Sequence, residues 1–144
     1  MTASDQGTVR ELFPNRTVNL GECPDLKHGA VLRHVYPKEA PIWQGHLAEL
    51  RLMPIPTSRI RDCIFAFTDE PLANANVLDY LVNGNKFPEA WQRHTVYFLG
   101  TTYLDSQYIE SVLVAKYDDK QWKVRLKATL DGTETNARVV LLLR

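Results

Sequence analysis

Two adjacent segments near the carboxyl end constrain the fold more than any other feature of the sequence. Residues 108–117 and 122–130 are rich in β-branched and aromatic residues, and a polar turn at 118–121 separates them. A hairpin closed across this turn has one nearly apolar face, and a shift of one residue would bury the cations of its second strand. The predicted apolar pairs are Tyr117–Trp122, Ala115–Val124, Leu113–Leu126, Ser111–Ala128 and Ile109–Leu130, and the opposite pairs are Lys116–Lys123, Val114–Arg125, Val112–Lys127 and Glu110–Thr129.

The segments on either side of this hairpin are also predicted to be strands. Residues 94–104 precede it, and the final segment follows a turn-rich connection at 131–136. Together they predict a C-terminal four-stranded antiparallel meander. Alternation assigns to its apolar face Tyr97, Leu99, Thr101 and Tyr103 from the first strand and Ala137, Val139, Leu141 and Leu143 from the last.

The opposite face of this predicted sheet is mixed in composition. It combines apolar side chains with a row of cations, whereas a solvated sheet face is mostly polar. If the amino-terminal half of the chain covers this face, the fold is a barrel or a sandwich. If a partner covers it, the face is a binding surface. The candidate binding residues are Val112, Val114, Lys123, Arg125, Lys127, Val140 and Leu142, beside Val96 and Phe98.

The amino-terminal half is predicted to add shorter strands and one helix. Alternation predicts strands at 30–36, 45–53 and 59–67. Helical spacing of apolar residues after an acidic, proline-containing start predicts a helix over Leu72 to Leu81. The whole chain is therefore predicted to be α+β and mostly antiparallel, a partly open barrel or two-layer sandwich with the meander and one mid-chain helix.

Length and composition indicate a single domain over residues 1–144. The chain is 44% hydrophobic and 24% charged, as folded proteins usually are. Its 17 basic and 17 acidic residues cancel, so nucleic-acid binding would need a local patch, and little repulsion opposes self-association.

Targeting features and cysteines indicate the cellular compartment. The sequence begins without a secretory signal, and no apolar run approaches the roughly 18 residues of a membrane span. No membrane partner is expected. Cys23 and Cys63 are far apart and form no CxxC pattern, so reduced thiols in a cytoplasmic protein are predicted.

Metal and cofactor sites have weak support in the sequence. Zinc takes four cysteine or histidine ligands, but the candidates here lack a second closely spaced pair, and His34 and His46 lie among apolar neighbours. Hydrogen-bonded core histidines explain them better. The phosphate-binding patterns GxxxxGK[ST] and GxGxxG do not occur, and no cofactor is expected. The metal candidates are Cys23, His28, His34 and His46.

An enzyme with a site near Cys23 and His28 is one alternative function. A cysteine paired with a histidine can act as a nucleophile, and Cys23 lies in a loop, whereas Cys63 has the setting of a small buried hydrophobe. The GxSxG pattern of serine hydrolases is absent. Because no catalytic signature is complete, a non-catalytic protein is favoured.

A second alternative is a β-barrel that binds single-stranded nucleic acid. Such barrels combine a basic groove with stacking aromatic residues. The neutral chain opposes this function, as does the predicted apolar-side position of Tyr117 and Trp122. The favoured function is protein binding or self-association, the latter as a homodimer, in an inhibitor, immunity or adaptor type of protein. The residues of the nucleic-acid alternative are Lys116, Lys123, Arg125, Lys127, Phe98, Tyr117 and Trp122.

Overall fold

The computed structural model describes residues 17–56 and 58–144 of the chain. In this part, two α-helices and eight strands form an α+β fold dominated by antiparallel pairing. The strands are β1 (Val18–Asn19), β2 (Ala30–His34), β3 (Ile42–Trp43), β4 (Leu50–Pro54), β5 (Thr95–Leu104), β6 (Glu110–Asp118), β7 (Gln121–Ala128) and β8 (Ala137–Leu142). The helices are α1 (Ile60–Ala66) and α2 (Ala75–Asn83), and 3₁₀ turns lie at Leu26–His28, Leu47–Glu49 and Glu89–Arg93.

A six-stranded sheet organises the fold. Its main path runs β4–β8–β5–β6–β7, and β2 pairs with the second half of β5. Only the pairing of β5 with β8 is parallel among the described strands. β1 and β3 form a separate antiparallel pair. The path does not close on itself, which confirms the predicted open, mostly antiparallel α+β architecture.

The predicted hairpin register is confirmed. β6 and β7 pair with Leu113 opposite Leu126 and with Val114 opposite Arg125. The turn is tight, since only Asp119 and Lys120 lie between the strands, with φ of 52° and 62°. Positive φ at both positions gives the turn a twist that matches the twist of the flanking strands.

The last strand does not continue the meander as predicted. In the described chain β8 pairs with β4 and β5, and not with β7. The connection to β8 is held by Thr133, whose N–H donates to the carbonyl oxygen of Ser58 at 2.7 Å and whose hydroxyl donates to Pro56 at 2.9 Å. These contacts join distant parts of the sequence, so local patterns do not predict them. β7 is consequently left at one edge of the sheet.

Both faces of the sheet are covered, and each face carries its own hydrophobic cluster. The first face, which includes Leu113, packs with α2, and the second face packs with α1. Tyr103 lies with Leu113, as predicted. The prediction was wrong for other residues of β5 and β8, which lie on the second face: Tyr97, Leu99, Ala137, Val139 and Leu141.

A bulge in β5 explains the change of face along this strand, and the residues of β8 follow because β8 pairs with β5 and β4. The pairing with β6 passes from Phe98–Leu113 directly to Thr102–Val112, which leaves residues 99–101 outside the ladder. An odd number of extra residues reverses the alternation of side chains. Because both faces are apolar, the sequence pattern shows no sign of the reversal.

Residues 60–66 form helix α1, whereas a strand was predicted at 59–67. The buried residues Ile60 and Cys63 are one helical turn apart, and Ile64 packs against the same cluster. A short apolar run fits both a strand and a helix, so periodicity alone does not separate them.

Helix α2 begins three residues later than predicted. The side chain of Asn74 accepts hydrogen bonds from the N–H groups of Asn76 and Val77, which caps the helix at this point. Leu72 instead forms a bridge with Leu141. Neither helix of the described chain has the length and apolar character of a membrane-spanning segment.

Candidate functional site

The four apolar residues of the predicted binding surface lie in the core. Val112, Val114 and Val140 are fully buried, and Leu142 is 7% exposed. They also lie on different faces, since the first two pack with α1 and the other two pack with α2. The chain itself covers these side chains, so they are not accessible to a partner in this structure.

The cations of the predicted surface are exposed to different degrees and are paired with carboxylates. Burial alone would raise the pKa of Glu134, but attraction to Lys127 and Arg125 lowers it, so this carboxylate is ionised at neutral pH. Its charge offsets part of the basic row. The N–O pairs are Arg125–Glu134 at 2.8 Å, Lys127–Glu134 at 3.3 Å, Lys116–Glu134 at 3.8 Å and Lys123–Asp118 at 3.4 Å.

β7 is an open edge of the sheet. Among the residues that the structure describes, it pairs with β6 alone. In an antiparallel hairpin only every second residue exchanges ladder hydrogen bonds with the neighbouring strand. The N–H of Thr129 donates to the carbonyl oxygen of Glu110 at 3.0 Å, so the odd-numbered residues of β7 are the ones that bond to β6. The backbone groups that face away from β6 are therefore those of Trp122, Val124, Leu126 and Ala128.

Two surface pockets flank the open edge on the same face of the sheet. The hairpin groove has a volume of about 630 Å³ and is lined by Leu126 together with residues 26–30, 104–106 and 108. The aromatic pocket has a volume of about 470 Å³ and is lined by Trp122 together with residues 82, 85, 87, 89, 92, 117, 120 and 121. Leu126 and Trp122 are four residues apart in β7, so the pockets are separated by about 13 Å along the strand.

An exposed tyrosine forms part of the hairpin groove. Tyr108 is 84% exposed and has a φ of 61°, a left-handed conformation that is rare for a bulky residue. Asp105 holds this loop, since its carboxylate accepts hydrogen bonds from the N–H of Gln107 at 2.8 Å and of Ile109 at 3.0 Å. Leu26, which is 63% exposed, also lines the groove. A strained and exposed side chain in a fixed loop suggests a binding role.

Stacked aromatic rings form the second pocket. The rings of Phe87 and Trp122 are stacked, with centroids 4.2 Å apart and planes 13° from parallel. Tyr117 lies beside Trp122 at 5.6 Å, and Trp91 meets Phe87 edge-on at 6.3 Å. Such rings provide a rigid apolar surface.

A cluster of titratable side chains surrounds His28, which also lines the hairpin groove. Its ring packs edge-on against Tyr103 at 5.7 Å. Burial, followed by the charge of Lys27, lowers the pKa of His28, and burial raises the pKa of Asp79. Burial and the carboxylates of Asp79 and Asp25 raise the pKa of Tyr103. At neutral pH the imidazole is therefore uncharged and the phenol keeps its proton.

The two thiols of the described chain are Cys23, in the loop near this cluster, and Cys63, in α1. Cys23 is exposed, and its Sγ lies 3.6 Å from the carbonyl oxygen of Pro24. Within the described residues no hydrogen bond joins Cys23 to His28, although a cysteine–histidine nucleophile requires that contact. Burial raises the pKa of Cys63, which disfavours its thiolate.

The four weak candidates for metal ligands, Cys23, His28, His34 and His46, do not form a ligand cluster in the described chain. In residues 17–56 and 58–144, no group of three or more histidine, cysteine or acidic side chains is placed to hold a metal ion. His34 is instead hydrogen-bonded within the fold, with Nδ1 2.8 Å from the Thr101 hydroxyl and Nε2 2.8 Å from the carbonyl oxygen of Leu20. His46 is exposed before the 3₁₀ turn at Leu47–Glu49.

Sequence reasoning missed the edge and its pockets, although it identified the cations of β7. Tyr108 and Leu26 stand in turn-rich segments, and an apolar residue in such a segment is the only local sign of the groove. Comparison of the chain with protein-family models, with curated proteins and with solved structures finds no match.

Proposed function

We propose that this protein is a non-catalytic module that binds an extended polypeptide segment as an additional strand beside β7. One observation carries the proposal: an open edge strand has a pocket near each of its ends on the same face. In strand addition, main-chain hydrogen bonds provide affinity and pockets for alternate side chains provide specificity. Protein binding was the predicted class, but the proposed site is the sheet edge instead of the mixed face.

The spacing of the pockets suits a bound strand. Side chains at positions i and i+4 of a strand point to the same side, about 13 Å apart. One such side chain would enter the aromatic pocket beside Trp122, and the other would enter the hairpin groove beside Leu126. In the described chain the backbone groups of Trp122, Val124 and Leu126 face outward and can pair with the segment between these two anchors, whereas the carbonyl oxygen of Ala128 already accepts from the N–H of Asp131 at 3.0 Å.

The site also needs little rearrangement before binding. Asp105 holds the loop that presents Tyr108, and the stack of Phe87 on Trp122 holds the floor of the aromatic pocket. Groups that are already ordered lose less conformational entropy when a ligand binds. Such preorganisation is typical of recognition surfaces that bind short segments.

The two alternative functions have less support. Single-stranded nucleic acid requires a continuous basic groove, whereas Glu134 and Asp118 pair with the cations near β7. An enzyme near Cys23 would require a base hydrogen-bonded to the thiol, whereas in the described chain the thiol lies 3.6 Å from the carbonyl oxygen of Pro24 and has no hydrogen bond with His28.

A peptide selection tests the proposal directly. Random peptides long enough to pair along the whole of β7 are displayed and selected against the full-length protein, and affinities are measured by fluorescence anisotropy. Hydrogen exchange followed by NMR then locates the bound peptide. We expect slower exchange at the outward amides of Trp122, Val124, Leu126 and Ala128. Selected peptides that leave these amides unchanged would refute binding at this edge.

A proline substitution separates main-chain pairing from side-chain contacts. Val124→Pro removes one outward N–H, and proline is tolerated where an edge N–H faces solvent. The matched control Val124→Ala shortens the side chain but keeps the N–H. We expect the affinity of the proline variant for the peptide to be at least about tenfold lower than that of the alanine variant, because one buried hydrogen bond is lost. Equal affinities would contradict the proposal.

A substitution at the exposed residue Tyr108 provides a second test, and it leaves the hydrophobic core unchanged. Tyr108→Asn removes the aromatic side chain but suits a left-handed backbone, so the fold is expected to survive. We expect weaker binding of the selected peptides. Phe65→Asn is the control, because Phe65 is 68% exposed and lies on α1, which packs on the other face. If both variants bind like the parent, the hairpin groove is not part of the site.

The predicted cytoplasmic location and homodimer stay predictions from the sequence. Cell fractionation tests the location, and light scattering at low and high salt tests the oligomeric state. In a homodimer of the proposed kind, the added strand would belong to a second copy of the chain.

A further inference from the structure

We infer that the segment bound beside β7 alternates apolar with acidic residues and does not come from a second copy of β7. This inference rests on the proposed function, strand addition at this edge. The partner is then an extended polypeptide segment with acidic and apolar residues.

The face of β7 opposite the two pockets has a surplus of positive charge. The side chains of Lys123 and Arg125 are 51% and 49% exposed, and that of Lys127 is 15% exposed. In the described chain these three cations and Lys116 form ion pairs with two carboxylates, those of Glu134 and Asp118, and Glu110 lies at the far end of the same face beside Thr129. Directly opposite residues of neighbouring strands share a face. Acidic residues in the added strand would therefore lie beside these cations.

The face of β7 that borders the two pockets carries apolar side chains that are still partly exposed. Trp122, Val124 and Leu126 pack against the first hydrophobic cluster but are only partly buried, because no further strand covers their outer side in the described chain. Apolar side chains of an added strand would remove this surface from water. Alternation follows, because apolar and acidic residues must point to opposite faces of the strand.

The same charges disfavour pairing of β7 with a second copy of itself. If β7 of one copy paired antiparallel with β7 of another copy, the apolar faces of both strands would have to lie on the same side. Odd-numbered residues of one strand would then lie opposite odd-numbered residues of the other. Lys123, Arg125 and Lys127 would then face cations of the other copy, and like charges directly opposite each other are destabilising. Cations on an edge strand are a common defence against self-association.

Three synthetic peptides test the inference. They share alternating leucines and differ only at the intervening positions, which hold glutamate, serine or lysine. Fluorescence anisotropy on the full-length protein is expected to show about tenfold tighter binding of the glutamate peptide than of the serine peptide. The lysine peptide is expected to bind more weakly than the serine peptide, and added salt should narrow both differences.

Charge reversal on the protein provides the matched experiment. In the double variant Lys123→Glu with Arg125→Glu, the lysine peptide is expected to bind more tightly than the glutamate peptide, which reverses the order of affinities seen with the parent protein. The control Lys38→Glu with Arg51→Glu changes the net charge equally at exposed positions outside β7 and should keep the order. Thermal melts of both variants establish that they are folded.

The outcomes separate this inference from the proposed function. Equal affinities for the three peptides would overturn the inference, while protected β7 amides would keep strand addition in place. If neither these peptides nor selected library peptides bind, strand addition itself is wrong. A dimer whose outward β7 amides are protected without peptide would identify a second copy as the occupant and overturn the inference.

Discussion

The N–H of Gly100 donates to the carbonyl oxygen of Ala73 at 3.0 Å, and this oxygen occupies the space in which a side chain at residue 100 would begin. A Cβ atom at Gly100 would lie only 2.7 Å from it. The N–H of Ala73 in turn donates to Val140 at 3.0 Å, so this short segment joins β5 to β8. The close approach requires glycine within the bulge of β5.

Replacing this glycine is therefore expected to destabilise the fold. Gly100→Ala should lower the free energy of unfolding by about 3 kcal/mol, because the backbone of residue 73 must move and its hydrogen bonds weaken. Urea denaturation followed by circular dichroism measures the change. Gly132→Ala is the matched control, since its nearest contact would be the oxygen of Ser58 at 3.8 Å, an ordinary separation. A similar loss in both variants would show that the contact with Ala73 is not the cause.

The tight turn between β6 and β7 offers a stabilising substitution. Lys120 has a φ of 62°, which costs an ordinary residue about 1 kcal/mol or more relative to glycine. Lys120→Gly is therefore expected to raise the free energy of unfolding by about 1 kcal/mol. Lys120→Ala removes the same side chain without relieving the backbone and should bring no gain. Equal stability of the two variants in urea would contradict this explanation.

Partly buried histidines are expected to make the protein less stable in mild acid. Burial lowers the pKa of His34, and burial is also the largest cause of the lowered pKa of His28 and His94. Below about pH 6.5 the unfolded chain takes up protons that the folded chain does not. The contribution of these neutral histidines to the free energy of unfolding is thus complete above that pH. It declines as the pH falls towards the pKa values of the folded protein, and then levels off. His34→Gln should reduce this dependence in urea denaturation between about pH 7.5 and 5.5, and an unchanged dependence would refute its role.

Glu134 is expected to contribute more to stability than Asp118, a second carboxylate that pairs with the basic row. Attraction to Lys127 and Arg125 outweighs burial and lowers its pKa, so its stabilisation is present above the ordinary glutamate pKa and is lost as the pH falls through the folded value. Glu134→Gln should cost about 1 kcal/mol at neutral pH, and less at high salt. Asp118→Asn is the control, because Asp118 is 64% exposed and pairs with Lys123 alone in the described structure. A larger loss in the Asp118 variant would contradict the prediction.

The hairpin of β6 and β7 was predictable because its constraint is local. Val124 and Leu126 alternate with Arg125 and its neighbouring lysines, so only one register keeps the charges out of the core. The turn between the strands is short and polar, which restricts the pairing further. The cations that border the proposed site follow from the same pattern.

The open edge was not predictable, because it depends on where the last strand goes. Val140 and Leu142 are buried on one face of β8, and Val139 and Leu141 are buried on the other. A strand that is apolar on both sides fits equally well beside β7 or inside the sheet. The pockets depend on the same choice, since a strand beside β7 would cover the edge between them.

The sequence by itself determined the hairpin register, its polar turn and the mostly antiparallel class of the fold. Only the tertiary structure decided that residues 60–66 are helical, that Val112 and Val114 are covered by α1, and that β8 lies between β4 and β5. The physical reason is that alternation reports whether a face is buried but not what buries it. That choice depends on contacts between distant residues, such as the hydrogen bonds of Thr133 with residues 56 and 58.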